Sequence, residues 1–151
     1  MGRFDLTKFI LHGNVFLVGA DVELINDRLR EVHNYIDEHY RKNIVACLVD
    51  FKTFSTVEEH IFQSVVAKIE EIYGIQILAT SLPELKRKID EFCHGKRFVL
   101  NVVDVPDELS YIVYQSLMKM CNTRISFNMT LHRRYHLIPD NLFEKVYSIE
   151  L

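Results

Sequence analysis

The chain reads as a three-layer α/β/α domain, doubly wound on a mostly parallel five-stranded sheet, and two observations carry that reading. Three short apolar runs rich in β-branched residues, Val15 to Val18, Ile44 to Val49 and Phe98 to Val103, are hydrophobic almost without interruption, as strands covered on both faces must be. Between them the apolar period changes from two to about 3.6, the spacing of a helix face. Two weaker runs, Arg124 to Met129 and Val146 to Leu151, supply a fourth and a fifth strand.

The elements follow in order. Ile25, Leu29, Val32 and Ile36 step by 4, 3 and 4 and share one helix face, with Asp27, Arg28, Arg30 and Glu31 elsewhere, which predicts a helix over 22–41. Ser55 with Glu58, or Thr56 with Glu59, makes a capping-box start for a second helix. That helix carries Ile61, Val65, Ile69 and Ile72 on one stripe, and Gly74 stops it. Ser81, Pro83 and Glu84 open a third, with Leu85, Ile89 and Phe92 inward, ending near His94 and Gly95. A fourth runs from about Pro106 to Cys121, and Pro139-Asp140 starts a short fifth. A helix between successive strands gives the crossover that parallel pairing requires.

Composition bounds the function. At 151 residues, 48% apolar and 26% charged, with 5 Gly, 3 Pro and no low-complexity tract, residues 1–151 are expected to form one domain. Lys and Arg number 18 against 21 Asp and Glu, a net charge of -3, so no whole-chain basic field exists and any contact with DNA must be local or indirect. Cys47, Cys93 and Cys121 are odd in number and lack metal spacing, so no disulfide scaffold is expected. Asp5 and His12-Gly13-Asn14 break up the N-terminal apolar letters, and Leu6 stands where N-myristoylation requires Ser or Thr. No apolar run approaches the roughly 18 residues that span a bilayer. An intracellular protein without a membrane partner is expected.

In doubly wound folds ligands sit beyond the carboxyl ends of the strands, here Gly19 to Asn26, Asp50 to Thr53, Asp104 to Asp107 and Thr130 to His136. A phosphate-binding loop at the first of these needs glycines for converging amides, a Lys for charge and a Ser or Thr for Mg²⁺. Gly19 is in place, but Leu24, Ile25 and Asn26 occupy the positions of Gly, Lys and Ser/Thr, and Asp21 and Glu23 would repel a triphosphate. After the third strand an ATPase needs an Asp for the metal and a Glu to activate water. If Asn101-Val102 takes the place of that pair, both charges are gone; if Asp104 is the metal Asp, Val105 follows it. Neither register leaves a catalytic Glu, so no cofactor and no catalysis are expected.

The order of elements resembles the α/β subdomain of an AAA+ ATPase, a P-loop NTPase fold, and most of all the subunits of the origin recognition complex. Phe98-Val99-Leu100-Asn101-Val102-Val103-Asp104 has the shape of that family's hydrophobic run and acidic pair. Ile44 to Phe51, Lys52 and Thr53 resemble its second strand and the approach to the next helix. Ile125-Ser126-Phe127-Asn128 resembles its fourth strand, with Asn128 as the polar sensor. Leu137 to Val146 resembles the segment that carries an arginine finger, and Lys145 lies near that place. The resemblance covers nearly the whole chain, without counterparts of the helical lid or the winged-helix domain. It implies a pseudo-ATPase: a non-catalytic module of a nuclear replication or chromatin complex that packs against other protein subunits, AAA+ proteins among them.

Other features invite other readings. His132-Arg133-Arg134-Tyr135-His136 is the densest basic patch, a candidate contact for DNA or an acidic partner. Its histidines have metalloprotease spacing, but Arg133 replaces the Glu base and no third ligand is evident, so no metal is expected. Asp50 and Asp104 with Asp21 form an acidic set at the strand ends, the basis of an alternative reading as a small ligand-binding or receiver-like domain. Cys47, mid-strand, reads as a buried small hydrophobe.

Overall fold

The computed structural model describes residues 9, 14–93, 95–136 and 147–151. The elements are β1 (Val15–Gly19), α1 (Val22–His39), β2 (Ile44–Asp50), α2 (Val57–Tyr73), α3 (Leu82–Phe92), β3 (Arg97–Val103), a 3₁₀ turn (Asp107–Leu109), α4 (Ser110–Met120), β4 (Ile125–His132), α5 (Arg133–His136) and β5 (Tyr147–Glu150). They build one sheet in the order β2-β3-β4-β1-β5, parallel at every pairing rather than mostly so.

Alternation along the strands divides the core into two layers. Leu100, Val102, Phe127 and Met129 face one way and pack under α2, α3 and α4. Val15, Leu17, Val99 and Val103 face the other way, against Ile25, Leu29, Val32 and Ile36 of α1. The helix ends follow the capping chemistry in the sequence. Thr56 caps α2, and Gly74 closes it in the left-handed region at φ 64°. Ser81 caps α3 with Pro83 in the first turn.

Some expectations need correction. α1 ends at His39, because Tyr40 is its C-cap. Ile72 and Phe92, expected inward, are 37% and 41% exposed. Each lies in the last turn of its helix, and Ile72 borders an open recess that Asp37, Ile44 and Lys96 also line. The helix expected from Pro106 begins as a 3₁₀ turn and becomes α-helical only at Ser110. β4 runs past Met129 to His132, since Thr130 and Leu131 are buried and register with Leu17 and Val18 of β1. Cys47 is 1% exposed, and burial pushes its thiol up to about 12. The helix expected at Pro139-Asp140 lies outside the described residues.

Candidate functional site at the carboxyl edge of the sheet

The sheet order brings the carboxyl ends of β1, β4 and β3 side by side beneath the start of α1. Only Ala20 and Asp21 separate β1 from α1, so the residues aligned with a phosphate loop are wound into helix. Asp21 is the N-cap: its Oδ1 accepts from the Leu24 N–H at 3.2 Å and its carbonyl from the Ile25 N–H at 3.1 Å. The Leu24 and Ile25 amides are therefore already bonded to Asp21. Ile25 is 1% exposed and sits over Gly19, where an added Cβ would meet Ile25 Cγ2 at 2.5 Å. Leu24, at the position of the second loop glycine, is 43% exposed.

Asn26, where the Mg²⁺-binding hydroxyl would stand, is buried and bridges the strands. Its Oδ1 accepts from Thr130 Oγ1 at 2.7 Å and from the Asp104 N–H at 3.0 Å. Asp104 immediately follows β3 and has φ 57°, a left-handed conformation that Asp tolerates better than most residues. Its carboxylate accepts from Arg30, whose guanidinium also reaches Asp50 Oδ2 at 3.3 Å and Asp27 Oδ1 at 3.4 Å. Asp50 and Asp104 thus do come together, around an internal cation, while Asp21 serves as a helix cap.

The two readings of the third strand are separated by position. Asn101 lies two residues before the end of β3 and is fully buried; Asp104 is the residue at the strand end. Val102 faces the opposite layer. Asn101 registers with Asn128 on β4, and Asn128 Nδ2 donates to Asn101 Oδ1 at 2.8 Å. Asn101 Nδ2 in turn donates to His33 Nδ1 of α1 at 3.0 Å. Desolvation pushes His33 down to about 4, with Asp37 opposing the fall, so the ring is neutral and accepts this hydrogen bond. Asn101 is thus engaged at both ends of its amide and Asn128 through its Nδ2, while the buried Oδ1 of Asn128 accepts no hydrogen bond among the described residues.

His132 ends β4, and Arg133 to His136 form α5. Arg133 Nη2 donates to the Leu151 carbonyl at 2.9 Å and its Nε lies 3.3 Å from Glu150; Arg134 pairs with Asp107 at 3.0 Å. These arginines bind the carboxyl edge to its neighbours. Tyr135 and His136 complete the helix. Lys145 and the arginine-finger-like segment lie outside the described residues.

Arg30 and His33 lie outside the expected site residues, yet the sequence carries a signal for them. Asn26, Arg30, His33 and Asp37 repeat the 4, 3, 4 spacing of the apolar stripe one residue later, a polar stripe on its flank. Each member reaches another element; the last, Asp37, accepts from Lys68 of α2 at 3.3 Å.

Against these contacts the residues present do not suit a nucleotide with Mg²⁺: the Leu24 and Ile25 amides are bonded to Asp21, the lysine position is an apolar plug, and Asn26 is bound on two sides. Among the described residues no group of three His, Cys, Asp or Glu is placed to hold a metal ion, and no helix is long and apolar enough to cross a membrane.

No protein-family model and no curated protein matches the chain. Among solved structures it is similar to a chain in the structure of Drosophila ORC bound to DNA, at TM-score 0.61 and 11% identity over 93% of this chain and 26% of that one. A chain of Drosophila ORC bound to GC-rich DNA and Cdc6 gives 0.61 and 9% identity, over 97% of this chain and 26% of that one. A chain of Drosophila ORC bound to AT-rich DNA and Cdc6 gives 0.56 and 13%, over 97% of this chain and 50% of that one. At such identities the likeness is one of fold, an α/β fold shared with these ORC chains. The chain spans between a quarter and a half of the length of these neighbours.

Proposed function

We propose that this chain is a non-catalytic, ORC-like module that works in the nucleus by packing within a multi-subunit protein assembly. The observation that carries the reading is the carboxyl edge of the sheet. There Asp21 takes up two amides at the start of α1, Ile25 fills the space over Gly19, and Asn26 and Arg30 are bound to the strand ends. A fold that retains the architecture of a nucleotide switch while filling the switch with its own side chains is suited to a fixed scaffold. The ORC chains of similar fold support the choice of assembly. Contact with DNA, in this reading, is indirect or runs through His132 to Arg134, whose arginines are already paired with Glu150 and Asp107.

The test is purification of the tagged chain from its native cells at moderate salt, with mass spectrometry of the eluate. Stoichiometric recovery of AAA+ or replication subunits is the expected result. Recovery of the chain alone would overturn the assembly reading.

A further inference from the structure

The assembly reading leaves open which surface receives a partner, and one groove away from the strand-end site has the chemistry to do so. It lies between the start of α2 and the segment leading into α3, with a volume of about 580 Å³. Its apolar lining comes from Phe62, Ala79 and Leu82, and its charged lining from Glu58 and Glu59. No Lys or Arg lines it among the described residues.

The two carboxylates are not consumed by helix capping. In a capping box the Glu at the third helical position reaches back to the N-cap amide. Thr56 does accept from the Glu59 N–H, at 3.4 Å, but the Glu59 carboxylate takes only neutral donors, Ser55 Oγ at 3.4 Å and Gln63 Nε2 at 3.1 Å. Glu84 of α3 shows the contrast: its Oε2 accepts from both the Thr80 N–H and the Thr80 hydroxyl, at 3.1 and 2.9 Å. Glu58 has one cation, Lys119 at 2.8 Å, reached across α2 from α4. Among the described residues Glu59 has no cation partner, and it stands at the groove beside Phe62, Ala79 and Leu82.

We propose that this groove receives a cationic amphipathic segment of a partner protein, an aliphatic side chain seated on Phe62, Ala79 and Leu82 and a Lys or Arg on Glu59. The proposal rests on the assembly reading and names a surface for it. The acidic lining disfavours nucleic acid, whose phosphates it repels. The volume suits a few side chains of one segment.

The probe is a fluorescein-labelled Leu/Lys amphipathic peptide, titrated into the full chain by fluorescence anisotropy, with a Leu/Glu peptide of the same pattern as its counterpart. Glu59→Lys and Gln63→Lys, both on the exposed wall of the groove, test the site; Glu91→Lys, on α3 away from it, controls for diffuse charge. Binding of the Leu/Lys peptide alone is expected, weakened about tenfold or more by either groove variant and unchanged by Glu91→Lys. Equal binding by wild type and Glu59→Lys, or equal losses in Glu59→Lys and Glu91→Lys, would overturn the proposal. So would sedimentation showing a dimer that Glu59→Lys dissociates, which would give the groove to a second copy of this chain. None of these outcomes bears on whether the chain co-purifies with an assembly, so the two proposals fail separately.

Discussion

Asn101 and Asn128 are register partners on β3 and β4, and the amide of Asn128 donates to the side-chain carbonyl of Asn101 at 2.8 Å in the middle of the sheet. His33 extends the chain to α1 through the other side of the Asn101 amide. A buried polar group with its partner removed costs far more than the same bond contributes. Asn101→Leu would leave the Asn128 amide and the His33 ring nitrogen without this partner. A loss of about 2 kcal/mol of unfolding free energy is expected by urea denaturation. An unchanged midpoint would show that the ladder contributes nothing.

Acid destabilises the fold through His33. Its folded value, about 4, lies below the ordinary 6.5, so between these limits the unfolded chain binds more protons than the folded one. Stability therefore falls as pH falls through this window, and the group contributes no pH dependence above it. The complete penalty, reached below the folded value, is about 3 kcal/mol. Unfolding free energies measured from about pH 7.5 to about pH 4.5 test this, and the slope flattens in His33→Gln.

Gly19 and Ile25 form a coupled pair. Gly19→Ala places a methyl group against Ile25 Cγ2 and is expected to cost about 1–3 kcal/mol. Combined with Ile25→Ala, which removes the obstructing atom, the double variant loses less than the sum of the two singles, by about 1 kcal/mol. Additive losses in the thermodynamic cycle would contradict the contact.

Asp104 combines a left-handed backbone with the ion pair to Arg30. Asp104→Asn keeps a residue that accepts this conformation and loses only the charge, at about 1 kcal/mol for a partly exposed pair. Asp104→Ala loses the same charge and adds about 1 kcal/mol of backbone strain. Thermal melts are therefore expected to rank Asn above Ala, with Gly also above Ala. An Ala variant as stable as the Asn variant would show that the backbone exerts no such demand.

The sheet was legible because strands buried on both faces lose their alternation: Phe98 to Val103 is nearly all apolar, and only Asn101 interrupts it. That interruption marks an internal ladder, whose partners lie far away in sequence: Asn128 is brought in by the register of β3 with β4, and His33 by the packing of α1 on the sheet. Helix starts were legible where a side chain caps them, as at Thr56 and Ser81. The ends were less so, since Ile72 has the right angle to be buried but lies where packing has run out. At the strand ends Asn26 was placed by its alignment with the phosphate loop, but its bridge to Thr130 and Asp104 required three elements to meet. Arg30 escaped notice because a helix arginine is ordinary on a solvent face. Only its matching spacing with Asn26, His33 and Asp37 sets it apart.

Protein contacts at the carboxyl edge of the sheet fill the place of a nucleotide. Isothermal titration of MgATP into the purified chain, followed by assay of phosphate release from the same sample, tests it most directly. No saturable heat and no phosphate above the rate without protein are expected. Magnesium-dependent, stoichiometric binding, with or without turnover, would overturn this reading.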